Sequence, residues 1–295
     1  METITLRAKA KINISLDVIG KRENGYHDLR MIMQTINLYD TIYIKKTKSP
    51  KIQINTNIPW LPIDDKNIAY QAVQVFLEEA NLKYGVYIDI FKRIPISAGL
   101  AGGSTDAAAV LVGLNKIFRT GFSKRKLMEI GVKLGADVPF CILRGTVLAE
   151  GIGEVLTPLP SIPYTYILLA KPNISVSTAT VYQALCISSI KVHPKTDELI
   201  NAIKCKDIKF IFSNMENVLQ EVTIAMYPEI EKIKKEMLNQ GAIASMMSGS
   251  GPTVFGVYKN NNDVIKAANY FKEIYGLKEV YVTSTYYPEA IRARA

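Results

Sequence analysis

Apolar and polar residues alternate along the first 46 residues of the chain. From position 12 to position 18 every even position is apolar, whereas positions 13, 15 and 17 are polar. This is the period of a half-buried β-strand. Ile42 and Ile44 repeat the spacing beyond an Asn-Gly turn at 22–25. The pattern therefore predicts β-structure over residues 3–46.

Helical spacing dominates the later part of the chain. Asn67 and Ser123 stand directly before apolar residues at helical spacing, where a helix-capping side chain belongs. Further helices are predicted at 107–114, 177–187, 196–204, 214–225, 229–239 and 263–275, and further strands at 86–93, 140–149, 166–170, 253–258 and 279–285. Strands that come mostly before helices predict the α+β class. Three prolines at 158, 160 and 163 predict a boundary between domains 1–155 and 156–295.

The glycine-rich segment 95–108 is the most informative part of the chain. It reads Pro-Ile-Ser-Ala-Gly-Leu-Ala-Gly-Gly-Ser-Thr-Asp-Ala-Ala and lies between a predicted strand and an alanine-rich helix. Glycines let backbone N–H groups approach an oxyanion, and a helix N-terminus favours negative charge. The segment predicts a phosphate site, although it matches neither GxxxxGK[ST] nor GxGxxG at the first strand–helix turn. The alternative is a plain turn in which Ser104 or Thr105 caps the helix.

Composition narrows the class of protein. Of 295 residues, 48% are hydrophobic and 21% are charged, which is typical of a globular protein. No apolar run approaches the ~20 residues of a membrane span, and the first twenty residues do not resemble a signal peptide. Three cysteines without a CxxC pattern predict reduced thiols in a cytoplasmic protein, and two histidines exclude a His-rich metal site. The net charge of +9 comes from scattered lysines, so we expect neither nucleic acid nor a membrane as a partner.

Three segments together resemble the GHMP kinase superfamily: Ala8–Asn13 (Ala-Lys-Ala-Lys-Ile-Asn), residues 95–108, and Met247–Phe255 (Met-Ser-Gly-Ser-Gly-Pro-Thr-Val-Phe). Each segment alone is a weak signal, but their order and spacing over nearly the whole chain are specific. The resemblance implies a two-lobed fold with an N-terminal lobe like ribosomal protein S5 domain 2 and a ferredoxin-like C-terminal lobe. One departure is Ala101, where such loops more often have glycine.

Finer details are similar to the superfamily's kinases of the non-mevalonate isoprenoid route, which phosphorylate the 2-hydroxyl of a cytidine diphosphate conjugate of methylerythritol. Four segments carry this likeness: Ala10-Lys-Ile-Asn13, Gly25-Tyr-His27, the loop Gly-Leu-Ala-Gly-Gly-Ser-Thr-Asp106, and Gly135-Ala-Asp-Val-Pro-Phe140. It implies ATP as the phosphoryl donor and Mg²⁺ as part of the ATP complex, with no protein ligand of the metal assigned. The second glycine turn, at 248–251, would close over the phosphates or support the first loop.

The resemblance also implies roles for individual residues. Lys11 and Asp137 would be catalytic, with Asp137 as the base and Lys11 as its charged neighbour. The residues implied for the substrate are Asn13, Tyr26, His27, Thr178 and Tyr182. Those implied for the nucleotide are Asn67, Pro95, Ile96, Ser97, Ala98, Gly99, Leu100, Ala101, Gly102, Gly103, Ser104 and Thr105.

The residues themselves leave alternatives open. Asp137 also suits a turn aspartate, and Tyr26 with His27 suits an exposed surface pair. A homoserine, mevalonate or sugar kinase would keep the glycine loop without needing Tyr26, His27 and Tyr182. A basic RNA-binding protein would instead need a basic stripe with interleaved aromatic residues. The sequence does not predict the oligomeric state.

Overall fold

The computed structural model describes residues 2–287, and these form strands and helices of the α+β class predicted from the sequence. The strands are β1 (Thr3–Lys21), β2 (His27–Thr47), β3 (Ile52–Thr56), β4 (Gly85–Phe91), β5 (Thr146–Gly151), β6 (Val155–Leu159), β7 (Tyr166–Lys171), β8 (Glu216–Asn217), β9 (Ala244–Met247), β10 (Val254–Tyr258) and β11 (Glu279–Ser284). The helices are α1 (Ile68–Glu79), α2 (Gly102–Phe118), α3 (Lys124–Val132), α4 (Val138–Leu143), α5 (Thr178–Ala184), α6 (Thr196–Cys205), α7 (Ile208–Ser213), α8 (Leu219–Met226), α9 (Glu229–Asn239) and α10 (Asn261–Asn269). None of the helices in the described range is both long and apolar enough to cross a membrane.

Packing groups the chain into two compact units. The first contains the start of the chain up to Ala10, together with Leu38–Ile96 and Ala101–Arg144. The second contains Lys11–Asn37, Ser97–Leu100 and the chain from Gly145 onward. The long strands β1 and β2 each continue from one unit into the other. Each unit therefore consists of several separate segments, and their division is not a single point in the sequence. The boundary between residues 155 and 156 stays a prediction.

In the first unit, helix α2 packs against apolar strand residues. Strand β4 pairs antiparallel with β2, so that Ile88 lies opposite Ile44, and β3 runs parallel to β4. A Cβ atom at Gly113 would lie 2.4 Å from the Cδ1 atom of Ile44. Glycine at position 113 therefore allows α2 to pack closely against Ile44 of β2. Helix α2 is buried along most of its length.

In the second unit, β7, β9, β10 and β11 form an antiparallel sheet in the order β11-β7-β10-β9. Helices α5–α9 separate β7 from β9, and α10 separates β10 from β11. This is the β-α-β-β-α-β succession of a ferredoxin-like domain. The ferredoxin-like C-terminal lobe that the resemblance implied is thus confirmed. In the same unit β5 pairs with β2, and β8 pairs with β1.

Three predicted elements were wrong in type or extent. Residues 140–143 belong to helix α4 and not to a strand, and strand β5 begins only at Thr146. Pro139 favours the helix because proline suits the first turn. Helix α2 begins at Gly102, five positions before its predicted start. The single helix predicted over 214–225 is replaced by the short strand β8 and helix α8, and α7 was not predicted.

Candidate active site

Lys11 lies in the part of strand β1 that belongs to the second unit. Residues two apart on a strand point to the same face, which brings Lys11 beside Asn13. The Nζ atom of Lys11 donates to Oδ1 of Asn13 at 2.8 Å, and its backbone N–H donates to the carbonyl of Leu100 at 3.1 Å. Only 5% of Lys11 and none of Asn13 is exposed. The structure therefore brings two predicted site residues together and connects them to the glycine loop.

The second glycine turn, residues 248–251, packs against the first loop at Gly99. The hydroxyl of Ser248 donates to the carbonyl of Gly99 at 3.0 Å. Gly99 has φ +71°, and a Cβ atom there would lie 2.1 Å from the carbonyl oxygen of Ser248. A Cβ at Gly249 would lie 3.4 Å from Nζ of Lys11. The resemblance implied that this turn either closes over the phosphates or supports the first loop, and these contacts agree with the second role.

Asn217 is a residue that the sequence analysis missed. It lies fully buried on β8, and its side-chain N–H groups donate to the carbonyls of Met247 and Gly249 at 3.0 and 2.8 Å. Its Oδ1 atom accepts from the backbone N–H of Leu219 at 3.1 Å. Asn217 therefore fixes the second glycine turn from behind. Its partners Met247 and Gly249 lie about 30 residues away along the chain. No local sequence pattern could therefore have predicted this role.

Asn217→Ala is expected to lower the free energy of unfolding by roughly 1–3 kcal/mol, because buried backbone carbonyls lose their donor. Chemical denaturation monitored by circular dichroism measures this change. Asn239→Ala is the control, since its amide bonds Glu236 in an exposed setting, and a change within about 0.5 kcal/mol is expected there. Equal stability of the two variants would show that Asn217 does not support the turn.

The N-terminus of α2, in the first unit, is the place where the sequence predicts a phosphate site. The helix begins at Gly102 after Ala101, which has φ +57° and a methyl group that cannot cap the helix. Ser104 and Thr105 lie inside the first turns of the helix, so the alternative in which one of them caps the helix is wrong. Alanine occupies a conformation that glycine adopts more easily, at a cost of roughly 1–2 kcal/mol. The first-turn N–H groups are therefore left for a ligand or water.

Asp137 and Asn67 lie at the starts of two other helices of the first unit. Asp137 precedes α4, and within the described residues its carboxylate makes no capping hydrogen bond to that helix. Asn67 does cap its helix: its Oδ1 accepts from the N–H of Ala69 at 2.9 Å, and its Nδ2 donates to the carbonyl of Pro62 at 2.7 Å. Contact of Asn67 with a nucleotide base stays a prediction. Lys11 and Asp137 belong to different units, and their cooperation also stays a prediction.

Two aromatic residues meet at the predicted cytidine site of the second unit. The rings of His27 and Tyr182 lie 5.1 Å apart between centroids at an interplanar angle of 30°. Tyr26 is 59% exposed, but His27 is buried, so the prediction of an exposed pair was wrong for His27. Burial and the charge of Lys21 lower the pKa of His27, which favours the neutral form of its ring.

Thr178, at the start of the helix that carries Tyr182, connects this region to the second glycine turn. Its hydroxyl lies 2.8 Å from the hydroxyl of Ser250. Ser250 is buried in turn 248–251, whose Ser248 and Gly249 contact the first loop and approach Lys11. Within the second unit, one turn thus contacts the predicted substrate residue Thr178 and the predicted nucleotide residue Gly99, and lies near the predicted catalytic residue Lys11.

Residues 67–145 match the family model of the GHMP kinase N-terminal domain, and residues 199–276 match that of the GHMP kinase C-terminal domain. The chain belongs to the GHMP kinase family. A 4-diphosphocytidyl-2-C-methyl-D-erythritol kinase of Lachnospira eligens is 49% identical to this GHMP kinase, over 98% of this chain and 100% of the relative. One of Lachnoclostridium phytofermentans is 53% identical, over 92% and 94% of the two chains.

Solved structures agree with the two-domain GHMP kinase fold. The crystal structure of a 4-(cytidine 5'-diphospho)-2C-methyl-D-erythritol kinase has a TM-score of 0.82 at 28% identity, covering 97% of this chain and 100% of its own. A homoserine kinase from Cytophaga hutchinsonii has a TM-score of 0.77 at 19% identity, covering 97% and 95% of the two chains. At 19% identity, the likeness to the homoserine kinase shows the fold alone. The family and the fold implied by the sequence motifs are confirmed.

Proposed function

We propose that this GHMP kinase transfers the γ-phosphoryl group of ATP to the 2-hydroxyl of 4-diphosphocytidyl-2-C-methyl-D-erythritol, in the non-mevalonate route to isoprenoid precursors. The products are the 2-phosphate and ADP. The observation that carries this proposal is the sequence identity of 49% and 53%, over nearly the whole chain, to two relatives named 4-diphosphocytidyl-2-C-methyl-D-erythritol kinase. A cytoplasmic location remains a prediction from the sequence.

Lys11 and Asp137 perform the chemistry in this proposal. The oxygen of the 2-hydroxyl forms a bond to the γ-phosphorus, the bond from phosphorus to the β,γ-bridging oxygen breaks, and ADP leaves with that electron pair. Asp137 accepts the hydroxyl proton as the general base. Catalysis of phosphoryl transfer depends mainly on positioning and on opposing charge. Lys11, buried and held by Asn13, supplies that positive charge at a fixed place.

The triphosphate of ATP binds at the N-terminus of α2 in this proposal. Gly103 leaves room there, since a Cβ atom would find only Ile68 Cγ2, at 3.4 Å. Mg²⁺ commonly binds with few protein ligands, together with water and substrate phosphates. The hydroxyl of Ser104, partly exposed in the first turn of α2, suits a phosphate-bound Mg²⁺. Among the described residues, no group of three Asp, Glu, His or Cys side chains could hold a metal ion by itself. When bound, Mg²⁺ supplies charge neutralisation on the phosphates.

The cytosine ring binds between aromatic residues of the second unit in this proposal. Tyr26 has an exposed ring on which a base can stack, and Tyr182 approaches His27. A neutral His27 can donate from one ring nitrogen and accept at the other. Both hydrogen-bonding modes suit the edge of cytosine, which carries an amino donor and ring acceptors.

Tyr26→Ala is expected to weaken binding of the cytidylyl substrate by about 1–3 kcal/mol, the usual contribution of one base–aromatic stack. The KM for ATP should stay nearly constant. Tyr164→Ala removes another exposed tyrosine of the same unit and should change neither constant. Steady-state kinetics with each substrate varied in turn measures the effects. Equal weakening of both substrates by Tyr26→Ala would show that Tyr26 is structural.

Thermal denaturation with one ligand at a time tests the proposal against its rivals. CDP and a non-hydrolysable ATP analogue should each raise the melting temperature, because both bind the native state. Mevalonate, homoserine and a short RNA should leave it unchanged. Stabilisation by mevalonate, homoserine or RNA without stabilisation by CDP would contradict the cytidine assignment.

A further inference from the structure

An ionic cluster is buried in the first unit next to the start of α2. It consists of Lys92, directly after β4, Asp40 on β2 and Asp106 in α2. The Nζ atom of Lys92 donates to Oδ2 of Asp106 at 2.7 Å and also to Oδ2 of Asp40. The side chains of Lys92, Asp40 and Asp106 are 5%, 0% and 5% exposed. The other oxygen of Asp40 accepts from the backbone N–H groups of Arg93 and Ile94.

The cluster lies directly under the backbone to which we assign the ATP phosphates. A Cβ atom at Gly102, the first residue of α2, would lie 3.4 Å from Nζ of Lys92. Asp106 follows Gly102 by little more than one helical turn, so Lys92 lies close to the start of α2 and is hydrogen-bonded to the turn behind it. Asp40 in turn holds the backbone at Arg93 and Ile94, which leads into the glycine loop.

Such a cluster contributes little net stability. Taking charges out of water costs several kcal/mol for each ion, and well-packed apolar residues are often as stable as a buried ion pair. Its distinctive property is a fixed geometry combined with a fixed charge, whose effect is strong in a low-dielectric surrounding. Burial lowers the pKa of Lys92, but the neighbouring carboxyl groups of Asp106 and Asp40, which also accept its hydrogen bonds, outweigh burial and raise this pKa overall.

We propose that Lys92 is a positioning residue for ATP: by bonding both Asp40 and Asp106 it fixes the start of α2, and with it the first-turn N–H groups that face the phosphates. This inference rests on the proposed function, because it assigns the ATP phosphates to that turn. Lys92 acts through the backbone of α2 and does not touch the reacting atoms.

The charge of the cluster also depends on pH. Burial raises the pKa of Asp106 to about 8, against the opposing effect of Lys92. Among the described residues Oδ1 of Asp106 has no hydrogen-bond partner, which agrees with a neutral carboxyl group. The titratable groups that act on Asp106 are Lys92 at the end of β4 and Asp40 on β2. Burial therefore favours the neutral form of Asp106 near neutral pH, and as the pH rises through about 8 the carboxylate form adds a negative charge beside the start of α2.

Lys92→Met is the first test, with Lys171→Met as the matched control. Lys171 is also a buried lysine, paired with Glu279 at 2.6 Å, but it lies in the ferredoxin-like sheet of the second unit. Lys92→Met should raise both the KM for ATP and the Kd of a non-hydrolysable ATP analogue about tenfold or more, and change the KM of the acceptor less than about twofold. Lys171→Met should leave all three constants near their wild-type values.

Asp106→Asn is the second test and keeps the shape of the side chain. In the wild-type protein, affinity for the ATP analogue should fall as pH rises through about 8. In Asp106→Asn this fall should disappear, so that the variant binds the analogue more tightly than wild type at pH 9. This variant keeps the inference open to refutation if Lys92→Met does not fold.

Three outcomes would overturn the inference. The first is analogue affinity of folded Lys92→Met equal to that of Lys171→Met. The second is equal weakening of both substrates by Lys92→Met. The third is an analogue affinity that stays the same between pH 7 and pH 9 in wild type and Asp106→Asn alike, and that is equal in the two proteins, because the cluster would then have no effect on the bound phosphates. Analogue binding needs no turnover, so failure of the wild-type protein to phosphorylate the cytidylyl acceptor would refute the proposed function without deciding the role of Lys92.

Discussion

Asp137→Asn is expected to lower kcat and kcat/KM together by about 10²–10⁴-fold, with little change in substrate affinity. The loss of a general base typically has this magnitude, and a group needed only in the transition state affects both constants equally. The asparagine keeps the size of the side chain but cannot accept the proton. Steady-state kinetics and melting temperature measured on the same preparations test the expectation.

The paired variant is Lys11→Met, which should be comparably damaging. If Lys11 and Asp137 act as one unit, the loss in the double variant will be far smaller than the product of the two single losses. Lys11 is buried and hydrogen-bonded to Asn13, so circular dichroism must first establish that the variant folds. Fully multiplicative losses would mean that the two residues act independently.

Asp207→Ala is the control for the alternative that Asp137 is only a structural aspartate. Asp207 caps α7, because its carboxylate accepts from the N–H of Phe210 at 2.9 Å. Its removal should lower stability by about 0.5–2 kcal/mol and leave kcat near normal. An Asp137→Asn protein with the same behaviour, less stable but fully active, would remove Asp137 from the chemistry.

Gly103→Val is expected to weaken binding of an ATP analogue by about 100-fold or more, ~2.7 kcal/mol, while the protein still folds. The backbone of Gly103 does not need a positive φ, and the nearest atom to a Cβ would be Ile68 Cγ2 at 3.4 Å. The protein itself can therefore accept the side chain. The isopropyl group would instead occupy the space beside the first-turn N–H groups of α2, where we place the phosphates.

The contrast for this prediction lies in the same helix. At Gly113 a Cβ would lie 2.4 Å from Ile44 Cδ1, so Gly113→Val should lower the melting temperature because the helix can no longer approach the strand. Isothermal titration with the analogue and a thermal melt separate the two cases. Unchanged affinity in Gly103→Val would exclude the first turn of α2 from the nucleotide site.

The sequence predicted those elements whose pattern is local. Strands β1 and β2 followed from their alternation, and Asn67 and Ser123 were found as N-caps because capping depends on neighbours two or three residues away. The helical segment 140–143 was missed because a short, continuously apolar run has no period that separates strand from helix. The early start of α2 was missed because glycine is a poor helix former, and tertiary packing overrides this preference.

The candidate site divides in the same way. The glycine loop and Lys11 were found from motifs, and the contact between Lys11 and Asn13 follows from their spacing on one strand. The support behind the site could not be predicted, because Asn217 reaches Gly249 and Lys92 reaches Asp40 across long stretches of chain. Such partners become neighbours only in the folded protein, and the burial of His27 is of the same kind.

Direct analysis of the reaction product is the measurement that tests the proposed activity most closely. The purified protein is incubated with ATP and 4-diphosphocytidyl-2-C-methyl-D-erythritol, and in parallel with ATP and mevalonate or homoserine, and each mixture is followed by phosphorus NMR. We expect a new phosphomonoester signal on the 2-oxygen of the cytidylyl acceptor, with one ADP formed for each product molecule, and no comparable product from the other two alcohols. Phosphorylation of mevalonate or homoserine at an equal or higher kcat/KM, or no phosphorylation of the cytidylyl acceptor, would contradict the proposed function.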